Sequence, residues 1–143
     1  MRILMWHLDS FRAEVTEKGR SPIRDEVTDE TRVVQAAESL LVYAACEKDD
    51  EVDPGAIAQR CTDEIIKLAT NLGTRTVILH SFAHLFVELA APQVAVDVLK
   101  DVQARLAAQG YTSLRTPFGW FHTLSIQAKG HPLSRVARQI TLA

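Results

Sequence analysis

The sequence predicts an α/β domain, a mixed β-sheet with crossover helices packed on it. Three observations predict it. Ile57, Cys61, Ile65, Leu68 and Leu72 recur at helical spacing, and Val94, Val98, Val102 and Leu106 (with Ala95 and Leu99 beside them) do so again. Short apolar runs at residues 39–46 and 75–80 flank the first of these stripes and have the length and β-branched content of buried strands. A strand, a helix and a strand in that order imply a parallel crossover. The chain has 143 residues, 47% hydrophobic and 24% charged, which suits one domain with its own core.

The elements follow in order. Residues 2–8 form a short apolar run and are expected as a buried first strand, ended by the turn signal Asp9-Ser10. Phe11, Ala13 and Val15 alternate with Arg12, Glu14 and Thr16, predicting a second strand paired back on the first. Residues 17–32 are polar and charged, with Gly19 and Pro22, and are expected as a long solvated connection. Residues 33–39 have the composition to start a helix, and residues 39–46 read as a central strand that ends in Glu47-Lys-Asp-Asp-Glu51. Asp53-Pro54 starts the first helix, because Asp caps it and Pro fits its first position. Gly73 ends it.

Residues 75–80 are a strand, and residues 81–84 are the loop at its carboxyl end. The second helix runs from about Pro92 to Gln109, with Gly110 as its stop. Residues 111–115 give a short strand. Pro117 and Gly119 then punctuate a turn, residues 121–128 suit a strand, and Gly130 with Pro132 mark a second turn. The tail, residues 133–143, is expected as a helix turn or an edge strand. The predicted order is β-β-loop-β-α-β-α-β-β.

The formal charge is −2, so no global cationic field exists for duplex DNA, and any contact with nucleic acid should be local, such as one end of a strand. No apolar run is long enough to cross a membrane, and the amino terminus lacks the apolar core and cleavage site of a signal peptide. The expectation is a cytoplasmic, reduced protein. Cys46 and Cys61 lie in no metal-binding spacing, and the sequence has no nucleophile elbow, P-loop or dinucleotide fingerprint. No metal and no cofactor are expected.

The acid–base candidates are His7, His80, His84, His122 and His131. Cys46 is either a nucleophile beside Glu47 and Lys48 or, the preferred reading, an inert buried thiol. Ligands of such sheets bind beyond the carboxyl ends of strands. Here those ends are Asp9-Ser10, Cys46-Glu47-Lys48 and the segment from His80 to His84, with the turn Pro117-Phe118-Gly119 beside them.

Four stretches carry a resemblance: Met1-Arg-Ile-Leu-Met-Trp-His-Leu-Asp9; Cys46-Glu-Lys-Asp-Asp-Glu51; Phe82-Ala-His-Leu-Phe-Val-Glu-Leu-Ala-Ala-Pro92; and Thr116-Pro-Phe-Gly-Trp120 with Lys129-Gly-His-Pro-Leu-Ser134. In that order the chain resembles the N-terminal editing domain of archaeal threonyl-tRNA synthetases, over essentially its whole length. The resemblance implies a single editing domain over residues 1–143, a D-aminoacyl-tRNA deacylase-like fold and a homodimer. It implies hydrolysis of seryl-tRNA(Thr) with threonyl-tRNA(Thr) spared, and as partners the tRNA acceptor end carrying serine and the remainder of threonyl-tRNA synthetase, since the domain in this family precedes catalytic and anticodon-binding regions.

Position by position, the resemblance puts Ser81, Ala83 and His84 in the loop facing the aminoacyl group, Cys46 at the terminal adenosine through its backbone, and Phe118 and Gly119 in a turn over the substrate. Ser81 stands where the family often has proline. Phe121-His122 replace a common Tyr-Lys pair, and Ser134-Arg135 replace a small residue and glutamate. In the family the 2'-hydroxyl of the terminal ribose assists water attack, with backbone groups positioning it. The expected roles are therefore His84 and His122 as orienting groups at the reacting centre, and Cys46, Ser81, Ala83, Phe118, Gly119, Phe121 and Arg135 as substrate contacts. The alternatives are a D-aminoacyl-tRNA deacylase and a non-catalytic module that binds the tRNA acceptor end.

Overall fold

The computed structural model describes residues 1–85 and 88–143; Phe86 and Val87, which belong to the third resembling stretch, lie outside the described residues. The spine of the fold is β1 (Arg2–Lys18), one strand of 17 residues. The two strands expected at residues 2–8 and 11–16 are thus a single element. Asp9-Ser10 does not reverse the chain. A register shift between Leu8 and Ser10 marks an irregularity in the ladder there. A bulge of this kind bends a strand and leaves its direction unchanged, and polar turn formers suit it as well as they suit a turn.

Each half of β1 has partners on both edges. Arg2 to Leu8 pair antiparallel with β3 (Ser39–Ala45), and Arg2 to Trp6 with β7 (Arg135–Gln139). Beyond the bulge, Phe11 to Glu14 pair with β2 (Val33–Ala36), and the other edge pairs with β6 (Trp120–Ala128). Residues 33–36 are therefore a strand and do not start a helix. The exposed edge of β1 supplies their ladder, and Val33 and Val34 are β-branched. The tail takes the edge-strand form of its two expectations.

The other half of the sheet is parallel. β3 pairs with β4 (Thr76–Ser81) and β4 with β5 (Thr112–Arg115), so the helices α1 (Pro54–Leu72) and α2 (Pro92–Ala108) are crossovers, as the element order predicts. The order across the sheet is β2-β1-β3-β4-β5, with β6 and β7 also on β1. Asp53 caps α1, its carboxylate accepting the Ala56 N–H at 3.0 Å, and Gly73 closes it at φ 70°.

Both helices cover one face of the sheet. Ile3, Met5, Leu40, Val42, Val77 and Leu79 meet Ile57, Cys61, Ile65, Val98, Val102 and Leu106 there. Leu72 and Val94, expected in the stripes, are only partly buried, while Val96 is buried. On the opposite face Leu8, Phe11 and Ala13 pack with Leu41, Tyr43 and Ile78, and Leu124 and Ile126 of β6 join them. The bend in β1 thus carries β6 towards the second face of β3 and β4. That displacement builds the site.

Candidate functional site

Three segments line one cleft of about 620 Å³: Gly19 to Ser21, His80 to His84, and Thr116 to His122 with Leu124. The first leaves the end of β1, the second leaves β4, and the third joins β5 to β6. The cleft lies at the carboxyl ends of two parallel strands, where such sheets bind ligands.

His80 is the last buried residue of β4. Its Nδ1 lies 2.8 Å from Thr116 Oγ1, and its ring meets Tyr43 and His122 edge-on, with centroids 5.8 and 5.6 Å apart. Burial, with His122 acting the same way, pushes its pKa down to about 4. His122 arrives from β6, where alternation along the strand turns every second residue inward. Its pKa is also lowered by burial, against an opposing hydrogen bond with the Trp120 backbone. Both imidazoles are therefore neutral at pH 7. Nε2 of His122 is out of solvent and has no hydrogen-bond partner among the described residues. A buried polar atom left in that state costs about 1–3 kcal/mol and calls for a partner.

His84 lies in a short 3-10 turn, Ala83–Leu85, exposed, with its ring edge-on to Phe82 at 5.4 Å. Ser81, Ala83 and His84 thus stand on one wall of the cleft, and Phe118, Gly119, Phe121 and His122 on the other. Phe121 is 48% exposed, and Phe118 sends its ring into the helix-side core, leaving backbone at the cleft. Arg20 is exposed at the rim without an ion-pair partner among the described residues.

Two expected substrate contacts are not in the cleft lining. Cys46 ends β3 with its thiol in the helix-side core, and its carbonyl already accepts the Ala90 N–H at 3.0 Å. Burial, reinforced by Asp50, pushes the thiol up to about 12, so it is no nucleophile. Arg135 lies on β7, its guanidinium 5.4 Å from the centre of the Trp6 ring, with β1 and β3 between it and β4. Asp9-Ser10 lies in the middle of β1, at its bulge, and is absent from the lining as well.

Sequence reasoning missed part of the wall. The connection after β1 is without helix or strand, as expected, but it is not merely solvated. Gly19 N–H donates to the Gly119 carbonyl at 2.9 Å, and Asp25 N–H to the Phe118 carbonyl at 3.0 Å. Asp25 Oδ2 accepts the Phe118 N–H at 2.8 Å and Arg115 Nη1 at 2.5 Å, and the Asp25 carbonyl accepts Trp120 Nε1 at 2.9 Å. A lone acid in a charged run gives no sign of this. His80 and Thr116 had a sequence signal, since both fall at strand ends beside predicted turns.

Comparison with known proteins adds to this geometry. A family profile described as the archaea-specific editing domain of threonyl-tRNA synthetase matches residues 1–140. The threonine–tRNA ligase of Methanobrevibacter smithii is 40% identical over 141 residues, covering 99% of this chain and 23% of that protein. Those of Methanococcus maripaludis and Methanopyrus kandleri are 38% and 37% identical over 143 and 141 residues, each covering 99% of this chain and 22% of theirs. The chain therefore spans less than a quarter of the length of these relatives. Among solved structures it is similar to the c-Myc DNA Unwinding Element Binding Protein, with a TM-score of 0.63 at 10% identity over 99% of both chains. That likeness is one of fold: the mixed sheet with two helices on one face is the architecture that the sequence predicts, and its class is the D-aminoacyl-tRNA deacylase-like one that the resemblance implies.

Proposed function

Because the chain belongs to the archaea-specific editing-domain family of threonyl-tRNA synthetase, we propose that it hydrolyses the ester of seryl-tRNA(Thr) and spares threonyl-tRNA(Thr). Residues 1–143 act as one editing domain in the cytoplasm, as a homodimer, with the rest of a synthetase holding the tRNA. The physical need is plain. A synthetic site that selects a hydroxyl rejects serine only through one missing methyl, worth about 1–3 kcal/mol, and a second site that excludes threonine by size supplies the rest.

The observation that carries this reading is the unpartnered Nε2 of a neutral His122 in a cleft lined largely by small, aromatic and hydroxyl-bearing residues, with Arg20 at its rim. Such a wall suits a small polar aminoacyl group. Water adds to the ester carbonyl, assisted by the 2'-hydroxyl of the terminal ribose. The carbon–oxygen bond to the ribose then breaks, and the ribose hydroxyl leaves with a proton. His84 and His122 orient water or substrate. Ser81, Ala83, Phe118, Gly119 and Phe121 contact the aminoacyl-adenosine end, and a backbone N–H at the turn meets the developing oxyanion. A reaction carried by an RNA hydroxyl tolerates a neutral histidine where the family has lysine. Arg20 is the rim cation available to an acceptor-end phosphate.

The test is a deacylation time course on seryl-tRNA(Thr), threonyl-tRNA(Thr), D-seryl-tRNA(Thr) and a 2'-deoxy-terminated seryl-tRNA(Thr). Loss of L-serine alone, dependent on the 2'-hydroxyl, is expected. Stable L-seryl-tRNA would sink the hydrolase and leave the module that binds the acceptor end, a second reading favoured by Arg135 standing on Trp6 outside the cleft.

A further inference from the structure

The turn over the cleft is fixed by a residue that lies almost a hundred positions away in sequence. Asp25 uses its backbone N–H, its backbone carbonyl and one carboxylate oxygen on Phe118, Trp120 and Arg115. Its other oxygen lies 3.9 Å from Lys100 Nζ. The side chains of Asp25 and Arg115 are 17% and 14% exposed, so this pair is held in place by packing in a way that a surface pair is not. Gly19 closes the other side through its bond to the Gly119 carbonyl.

These bonds take all but one of the N–H donors from Thr116 to Gly119. Thr116 N–H donates to the Leu79 carbonyl at 3.1 Å, Pro117 has no N–H, and both Phe118 groups are taken by Asp25. The Gly119 carbonyl is taken by Gly19. The donor that remains is the Gly119 N–H, which has no partner among the described residues, and Gly119 lines the cleft. Phe118 is thus ruled out as an amide donor to substrate. The turn offers one.

We propose that Asp25 is a positioning residue of this site: it clamps the Phe118–Gly119 turn so that the Gly119 N–H is left free as the turn's hydrogen-bond donor to the oxyanion formed from the ester carbonyl. This deepens the hydrolase reading and rests on it. The chemistry is directional. An oxyanion donor acts only when it is aimed before the charge develops, and a misplacement of about 1 Å costs roughly a hundredfold in rate. The strap formed by residues 23–25, which packs on the turn, lies outside the cleft lining, so its contribution belongs to the chemical step and not to binding.

The experiment compares wild type with Asp25→Ala and Asp25→Asn in deacylation of seryl-tRNA(Thr), and follows the Phe118 amide by hydrogen exchange. Asn keeps an oxygen for the Phe118 N–H and loses the charge; Ala loses both. The expected result is a kcat down by about 100-fold in Asp25→Ala with KM nearly unchanged, faster exchange at Phe118, and recovery to within about tenfold in Asp25→Asn. If the alanine variant does not fold, Asp25→Ser, whose hydroxyl is too short to reach, carries the same comparison. Wild-type kcat in the alanine variant, or a loss that appears in KM with Phe118 still protected, overturns the assignment. If wild type itself leaves seryl-tRNA intact, the hydrolase reading fails separately, and exchange alone decides Asp25: lost protection at Phe118 upholds the clamp and retained protection overturns it.

Discussion

His131 Nε2 stands 2.9 Å from His7 Nδ1, and through this contact one residue of β1 holds the loop between β6 and β7. The hydrogen-bond network assigns the protons. Leu133 N–H donates to His131 Nδ1 at 3.2 Å, so neutral His131 carries its hydrogen on Nε2 and gives it to His7. His7 then bonds Glu38 through its own Nε2, and the other Glu38 oxygen accepts from Thr74 Oγ1 at 3.0 Å. The backbone repeats the grip: His7 N–H donates to the Ser134 carbonyl, and Lys129 N–H to the His7 carbonyl, both at 2.9 Å.

His131→Ala leaves Nδ1 of the buried His7 without its partner, while Nε2 keeps Glu38. The expected cost is about 1–2 kcal/mol in urea unfolding, with faster hydrogen exchange of the His7 amide. A change below about 0.5 kcal/mol would mean that the backbone bonds hold the loop unaided.

His80 makes stability depend on pH, and the sign follows from its depressed pKa. In the unfolded chain the imidazole titrates near 6.5 and in the folded chain at about 4. Between those values the unfolded state binds a proton that the native state does not, so stability rises with pH by about 1.4 kcal/mol per unit. This contribution is complete above pH 6.5 and is lost as pH falls to 4, for a total of about 3 kcal/mol. His80→Gln keeps a hydrogen-bonding group for Thr116 and does not titrate. Denaturant unfolding between pH 4 and pH 7 should therefore show a shallower fall for the variant. Parallel curves would clear His80 of the effect.

The same burial lowers His122, and here the readout is rate. If His122 acts neutral at the cleft, the acid limb of single-turnover deacylation lies below the ordinary histidine range. His122→Gln should remove that limb and slow the reaction by less than about 100-fold, the low end of what a general base contributes. His84, exposed on the opposite wall, should cost less than about tenfold as alanine. Abolished hydrolysis in both variants, with the 2'-deoxy substrate reacting normally, would make the histidines indispensable bases and remove the RNA-assisted route.

These residues also show what the sequence could carry. Stripes such as Ile57-Cys61-Ile65 are local, and α1 and α2 were legible because burial of one face decides a helix within a few turns. Asp9-Ser10 was misread because a bulge and a turn use the same residues, and only long-range pairing tells them apart. The error mattered. A reversed chain would not have carried β6, and with it His122, to His80. Resemblance brought seven of nine expected site residues to one cleft, while Cys46 and Arg135 fall outside its lining because of which way the strand ends face. Asp25 was invisible, since its partners Arg115, Phe118 and Trp120 lie in a different part of the chain.

Two glycines that look alike in sequence should respond oppositely to alanine. Gly119 has φ 83°, and a Cβ there would sit 2.6 Å from the Ile23 carbonyl oxygen and from Arg24 Cγ. The left-handed backbone alone costs an L-residue about 1–2 kcal/mol, and the close contact with the strap's backbone adds to it. Gly119→Ala should lose about 3 kcal/mol or more and expose Trp120, whose indole bonds the Asp25 carbonyl, so its fluorescence shifts red before the core unfolds. Gly130 lies outside the left-handed region and a Cβ there would meet nothing within 4 Å. Gly130→Ala removes freedom from the unfolded chain at no native cost and should gain about 0.4–1 kcal/mol. Urea unfolding of both variants reads the pair directly. Gly119→Ala unfolding at the wild-type midpoint would mean that the strap does not lie against the turn in solution, and the clamp assigned to Asp25 would go with it.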